Sequence, residues 1–220
     1  MYTAKTDELH HQLERKKMVE LIRRKGITDE EVLAAMQSVP RHFFITASKM
    51  DLAYQDRAVQ IGEEQTISQP FTVAYQTHLL SVSPGDKILE IGTGSAYQAC
   101  ILAKMGAEVF TVERQKRLFE KYKVLSYLAP FKNIHFFYGD GHNGLPDYAP
   151  FDKILITAAS TIIPPALVDQ LQTGGIIVLP LGDPDYSQMM VRMTKLPDGT
   201  LQKEAFNQFN FVPMLQGINE

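Results

Sequence analysis

The chain has 220 residues, 45% of them hydrophobic and 21% charged, which is enough apolar content to close a core and too much for a disordered segment. Its 22 Lys and Arg against 25 Asp and Glu give a formal net charge of -3, without the basic excess that neutralising a phosphate backbone requires, so no nucleic-acid ligand is expected. The single cysteine, Cys100, excludes an internal disulfide.

At the start of the chain, Met1 to Leu9 lack the basic-then-apolar order of a secretory signal, so a cytoplasmic location is expected. Asp7 to Lys25 alternates apolar residues with charge and ends on Arg23-Arg24-Lys25 before Gly26, the pattern of a surface helix. Thr28, three residues before Glu31, reads as the capping box of a second helix that runs to about Met36 and is stopped by Pro40. From Arg41 to Gln69 the periodicity is poor, which predicts a long irregular connection with short extended pieces, and such loops tend to be functional. At its end, Ser68 or Gln69 is a candidate N-cap, with Pro70 suited to the first turn that follows.

After Pro70, helical and short apolar segments alternate: a helix over Phe71–Ser81, a strand over Lys87–Ile91, a helix over Tyr97–Lys104 and a strand over Glu108–Val112. The alternation continues with a helix at Gln115–Tyr127, strands at Ile134–Tyr138 and Lys153–Thr157, a helix at Pro165–Gln172 and a strand at Gly175–Pro180. This order predicts a doubly wound α/β domain over residues 70–220, with a mostly parallel sheet and helices on both faces, and residues 1–69 packed on it. Gln188–Leu196 and Lys203–Val212, joined at Pro197-Asp198-Gly199, predict a closing antiparallel hairpin, with Met189-Met190 in its core. The most apolar stretch, Gly174 to Leu181, is far shorter than the roughly 20 residues that span a bilayer, so no membrane role is expected.

In open α/β sheets ligands sit beyond the carboxyl ends of the strands. The first such loop, Gly92-Thr93-Gly94, lets the backbone turn sharply before a helix whose free N–H groups face an anion. Tyr97 occupies the third glycine position of the dinucleotide fingerprint, which argues against NAD; S-adenosylmethionine, with an adenosine and no pyrophosphate, fits the loop. Glu113 ends the next strand, 23 positions after Glu90, where a carboxylate can accept from both ribose hydroxyls or simply pair with Arg114 or Lys116. Asp140, between Gly139 and Gly141, could accept from an adenine amino group or be an ordinary turn residue. The histidines show no metal-site spacing, Cys100 reads as helix packing, and no Gly-x-Ser-x-Gly elbow is present.

Thr66-Ile67-Ser68-Gln69-Pro70 followed by Ile88-Leu89-Glu90-Ile91-Gly92-Thr93-Gly94-Ser95 resembles the protein-L-isoaspartate O-methyltransferase family. The likeness extends through Phe151–Ala159, Pro164–Leu171, Gly174-Gly175 and Phe211-Val212-Pro213, nearly the whole chain. It implies a seven-stranded Rossmann-like sheet whose last two strands are swapped relative to most methyltransferases, behind an N-terminal helical extension and a substrate-side loop. The implied activity is transfer of the methyl of S-adenosylmethionine to the free carboxylate of L-isoaspartyl and D-aspartyl residues in damaged proteins and peptides, releasing S-adenosylhomocysteine. The resemblance makes Ser68 the active-site residue, with Thr66, Ile67 and Gln69 where cofactor meets peptide. It puts Glu90, Gly92 and Gly94 at the methionine end, Glu113 at the ribose and Asp140 with Gly141 at the adenine.

Two positions depart from the family pattern: Ala96 replaces a third loop glycine, which is tolerable if its backbone has helical φ/ψ, and Ser160-Thr161 replace a more usual Ala-Pro in the peptide-facing loop after the fourth strand. Competing readings are a small-molecule methyltransferase of the same fold, a nicotinamide oxidoreductase, and a binding module without turnover. A monomer is the expected assembly.

Overall fold

A computed structural model describes residues 6–220; the signal-peptide reading of Met1 to Leu9 falls in part on residues outside these. Helix α1 (Leu9–Arg24) turns Arg15, Met18, Val19 and Ile22 inward, and Arg15 reaches the Asp7 carboxylate with both Nη atoms, at 3.0 and 2.8 Å. The cap of α2 (Glu30–Ser38) corrects the expected Thr28 box: Asp29 is the N-cap, and its carboxylate accepts from the Glu31 and Val32 N–H groups. Both are capping residue types, and the one with extended backbone angles at the helix mouth takes the role.

The segment 41–69 is more ordered than its poor periodicity suggests. It holds two 3-10 turns, Arg41–Phe44 and Ala47–Leu52, and an antiparallel ribbon of β1 (Val59–Gly62) and β2 (Gln65–Ile67). Glu63 and Glu64 close the ribbon with φ of 49° and 56°, the left-handed angles that a two-residue hairpin requires. Thr66 and Ile67 thus lie on a strand that delivers Ser68 to the start of α3 (Pro70–Leu80). Of the two candidate caps, Gln69 is the N-cap residue of α3, with Pro70 in the first turn as expected, but its side chain makes no capping bond; Asp56 accepts the Phe71 N–H at 2.8 Å instead.

The main sheet alternates with helices: β3 (Lys87–Ile91), α4 (Tyr97–Lys104), β4 (Glu108–Glu113), α5 (Lys116–Lys123), β5 (Ile134–Tyr138), β6 (Phe151–Ile156), α6 (Pro165–Gln170) and β7 (Leu171–Leu181). Then β8 (Gln188–Lys195) and β9 (Leu201–Phe209) form the closing hairpin. The strand order is β5-β4-β3-β6-β7-β8-β9, parallel through β7 and antiparallel thereafter, with β8 beside β7 and β9 at the edge. Most boundaries lie within three residues of the sequence reading, and two shift by four. β7 starts at Leu171, where a helix was expected to run to Gln172, because Leu171 pairs with Phe151 across a bulge. α5 stops at Lys123, and a 3-10 turn, Ser126–Leu128, follows.

Alternation along the strands divides the core. Ile88, Val109, Leu155 and Val178 face one side, packed with Met18, Val32, Val73, Ile101 and Leu118 of α1 to α5. Leu89, Val112, Ile154, Ile156 and Ile177 face the other, with Leu167 of α6. Of the expected methionine pair, Met190 is buried and Met189 half-buried. Cys100 is enclosed, and burial pushes its thiol up to about 12, as suits a packing residue. Strand order reverses between β3 and β6, so their carboxyl ends open a crevice.

Candidate active site

The loop after β3 leads into that crevice. Gly92 has φ +97°, and a Cβ there would lie 2.5 Å from the Thr157 hydroxyl, which donates to the carbonyls of Ile91 and Gly92 at 3.0 and 2.9 Å. A side chain at Gly92 would therefore break the contact that locks the loop to the end of β6. Gly141 is equally constrained: its Cβ would meet Ile91 Cγ2 at 2.3 Å. Ala96, just before α4, has φ +64° and is fully buried, so it lies in left-handed rather than right-handed helical angles and the condition for a strain-free alanine there is not met. The methyl group is held in a conformation that glycine adopts without strain.

Glu113 presents its carboxylate at the end of β4. One oxygen accepts from Gly94 N and the other from Gln115 N, each at 2.8 Å. Burial raises its pKa above the usual carboxylate range, with those N–H groups pulling the other way. Glu90 lies deeper, fully enclosed on the helix side of β3; burial pushes it up to about 8. Thr111 donates to one of its oxygens at 2.5 Å, the Thr93 hydroxyl stands 2.7 Å from that of Thr111, and the other Glu90 oxygen has no partner.

Around these groups a cavity is lined by Thr66, Ile67, Ser68, Gly92, Gly94, Glu113 and Gly141, together with Gln98, Thr157 and the tail residues Val212 to Leu215. A second cavity, between α3 and β9, adjoins it; Thr66, Ser68, Thr157 and Val212 line both. Ser68, half-buried, is thus set at the junction of the two spaces.

Three expected site residues stand elsewhere. Glu90 lies beneath the first cavity rather than on its wall. Gln69 lines only the second, with its amide donating to the carbonyl and carboxylate of Asp56 at 3.1 Å. Asp140 uses both carboxylate oxygens within the protein, accepting from Gly217 N at 2.7 Å and from His142 N and Nδ1 at 2.9 and 3.0 Å. Burial pushes the Asp140 pKa up, but these bonds hold it below the ordinary value.

Sequence reasoning missed Thr157, although the strand-end rule could have found it one position beyond β6. It also missed the tail that crosses the strand ends, where Ala159 N donates to Val212 O at 2.8 Å and Met214 N to Ala159 O at 2.7 Å. Tyr97, expected to block a dinucleotide, is buried with its ring 5.4 Å from that of Phe44. Ser160 closes its own loop, its hydroxyl donating to Ile162 O at 2.6 Å. Far from the site, Asp7, His11 and His42 bring possible ligand atoms within 4.8 Å, a grouping that sequence spacing did not reveal. Asp7 is held by Arg15, the ring nitrogens of His42 contact Tyr54 Oη and Thr6 O, and burial lowers the His42 pKa to about 4.

A family model for protein-L-isoaspartate(D-aspartate) O-methyltransferase matches residues 13–219. The chain belongs to this family. Among its relatives, the protein-L-isoaspartate O-methyltransferase of Flavobacterium psychrophilum is 46% identical over 213 residues, covering 97% of this chain and 99% of the relative. That of Cytophaga hutchinsonii is 47% identical over 209 residues, covering 95% and 94%. A solved protein-L-isoaspartate O-methyltransferase superposes with a TM-score of 0.81 at 26% identity over 90% of this chain, which spans 65% of that structure. A solved Plasmodium falciparum protein described as a β-aspartate methyltransferase, in complex with S-adenosyl-L-homocysteine, superposes with a TM-score of 0.78 at 26% identity, covering 91% of this chain and 98% of that one. Membership in an isoaspartate methyltransferase family gives the two adjoining cavities a division of labour to be explained.

Proposed function

We propose that this chain transfers the methyl group of S-adenosylmethionine to the free carboxylate of L-isoaspartyl and D-aspartyl residues in damaged proteins and peptides, with Ser68 as the residue that orients the acceptor. The observation that carries this reading is the position of Ser68, on the boundary of an inner cavity at the strand ends and an outer one between α3 and β9.

The inner cavity fits a nucleoside-bearing sulfonium donor. Glu113 keeps free lone pairs for ribose hydroxyls beyond the two N–H groups it accepts, and the buried Gln98 Oε1 on the wall has no partner in the protein. Gly92, Gly94 and Gly141 leave the main chain bare along the floor. S-adenosylmethionine, when bound, supplies a methyl group activated by positive sulfur.

The remaining work falls to the chain. An isoaspartyl α-carboxyl group has a reference pKa of about 3.3–3.7, so it arrives ionised and needs no base. The Ser68 hydroxyl donates a hydrogen bond that fixes which carboxylate oxygen faces inward, and Thr66 and Thr157 frame the same junction. Val212 to Leu215 roof the inner cavity and exclude water, which otherwise stabilises separated charges most strongly. Holding two reactants in line is worth up to roughly 7–11 kcal/mol in favourable cases. The outer cavity, floored by Phe71, Phe209 and Phe211 and edged by Arg57 and Asn210, favours a peptide over a small metabolite.

The test is methyl transfer from labelled S-adenosylmethionine to paired peptides that differ only in aspartyl linkage. Label on the isoaspartyl peptide alone supports the reading; equal labelling, or none, overturns it. The chain is further proposed to act as a cytoplasmic monomer, in keeping with its one reduced, buried cysteine; light scattering that gives a dimer mass would refute the second part. Among the described residues, no helix is long and apolar enough to cross a membrane.

A further inference from the structure

Arg41 stands behind Ser68 and has no part in the scheme above. It is fully buried in the 3-10 turn Arg41–Phe44, where Nε donates to Ala53 O at 2.9 Å and Nη2 to Ser68 O at 2.7 Å. Its guanidinium carbon lies 4.9 Å from the centre of the Tyr97 ring, and Nη1, also enclosed, has no hydrogen-bond partner. Among the described residues it forms no ion pair. Asp56, whose field reaches it, is already committed to Lys25 at 2.6 Å and to the Phe71 N–H. Burial lowers the Arg41 pKa to about 10, which still leaves it charged at neutral pH.

Tying two carbonyls together does not need a charge; a glutamine amide could donate to both. A buried cation with no counter-ion in contact is costly, and here it touches Ser68 and Tyr97, both of which line the inner cavity. Its field therefore falls on the junction where an anionic acceptor would meet the Ser68 hydroxyl, in surroundings that screen it poorly. We propose that Arg41 is a positioning residue for the substrate carboxylate, fixing the Ser68 main chain and holding positive potential behind it so that an anionic acceptor is favoured over its neutral isostere. This rests on the reading of Ser68 as the group that orients the carboxylate.

The experiment compares the full-length parent, Arg41→Gln and Arg41→Lys. It measures KM for an isoaspartyl peptide, inhibition by the same peptide with that carboxylate as a carboxamide, and calorimetric affinity for S-adenosylhomocysteine. Arg41→Gln is expected to raise KM for the charged peptide roughly tenfold or more while the neutral competitor and S-adenosylhomocysteine stay within about threefold. KM unchanged, or KM and the neutral competitor weakening together, overturns the proposal. Arg41→Lys keeps it testable if the glutamine variant folds poorly. A buried ammonium loses its proton far below the ordinary lysine value, so KM for the charged peptide should climb with pH across roughly 6 to 9 while the parent stays flat. A flat profile in Arg41→Lys removes the charge from the argument. A parent with no transfer to the isoaspartyl peptide would instead sink the functional reading itself.

Discussion

Glu113 Oε2 accepts the Gly94 N–H at 2.8 Å, joining the end of β4 to the middle of the glycine loop of β3. The same carboxylate lines the inner cavity, so it shapes the loop and faces the ligand at once. Replacing Glu113 with Gln turns one acceptor into a donor facing an N–H. Affinity for S-adenosylhomocysteine should fall by about 1–3 kcal/mol, the cost of a buried donor that has lost its acceptor. Calorimetry showing unchanged affinity would remove Glu113 from the cofactor site.

Ser68→Ala removes a hydroxyl at the junction of the two cavities. A hydrogen bond to a charged group is worth about 1.5–3 kcal/mol, so kcat/KM for an isoaspartyl peptide should drop roughly ten- to hundredfold. S-adenosylhomocysteine affinity and melting temperature should hardly move. Equal activity of variant and parent would dismiss Ser68 from the mechanism.

Glu90 sets a pH dependence of stability. Its folded pKa is pushed up to about 8 by burial, against a reference of 4.5, so between these values the unfolded chain is ionised while the folded one keeps the proton. Folding takes up a proton there, and stability declines as pH rises across that window. Glu90→Gln is neutral at every pH. Its melting temperature should match the parent's near the acid end and exceed it increasingly toward pH 8. A constant offset in paired thermal melts would refute the assignment.

Ala96 carries backbone strain at φ +64°. A left-handed residue costs about 1–2 kcal/mol, which Ala96→Gly relieves. Glycine gives back about 0.5–1 kcal/mol through unfolded-state entropy and about 0.8 kcal/mol through the lost buried methyl. The net change in a urea titration should stay within about 1 kcal/mol. Ala96→Val should instead lose more than about 2 kcal/mol, since a branched side chain resists φ above zero and finds no space; a valine variant as stable as the parent would contradict the strain.

Much of the fold is readable along the chain because local pattern and local structure coincide. Lys87–Ile91, Tyr97–Lys104 and Ile134–Tyr138 have the bounds that the residues predict, since apolar spacing there matches the strand or helix period. The short extended pieces expected in Arg41–Gln69 are β1 and β2, whose bounds and pairing are not legible because strands of 4 and 3 residues are too short to show a period. Asp29 and Thr28 offer the same chemistry one residue apart, and only the residue at which the helix starts, Glu30, makes Asp29 the cap. Leu171 suits a helix end or a strand start until Phe151 comes alongside.

By itself, the sequence determined the alternating α/β order, the glycine loop, the acid at the end of β4 and the family signature at Thr66 to Pro70. Each of these is written in neighbouring residues, whose spacing dictates hydrogen bonding and burial directly. Tertiary structure alone decided which polar groups share a cavity. It sealed Glu90 below the floor, spent the Asp140 carboxylate on the tail at Gly217, and drew Arg41 to the Ser68 carbonyl from 27 positions away. Those outcomes depend on how faces pack, and a one-dimensional pattern does not record which distant partner reaches a buried polar atom first.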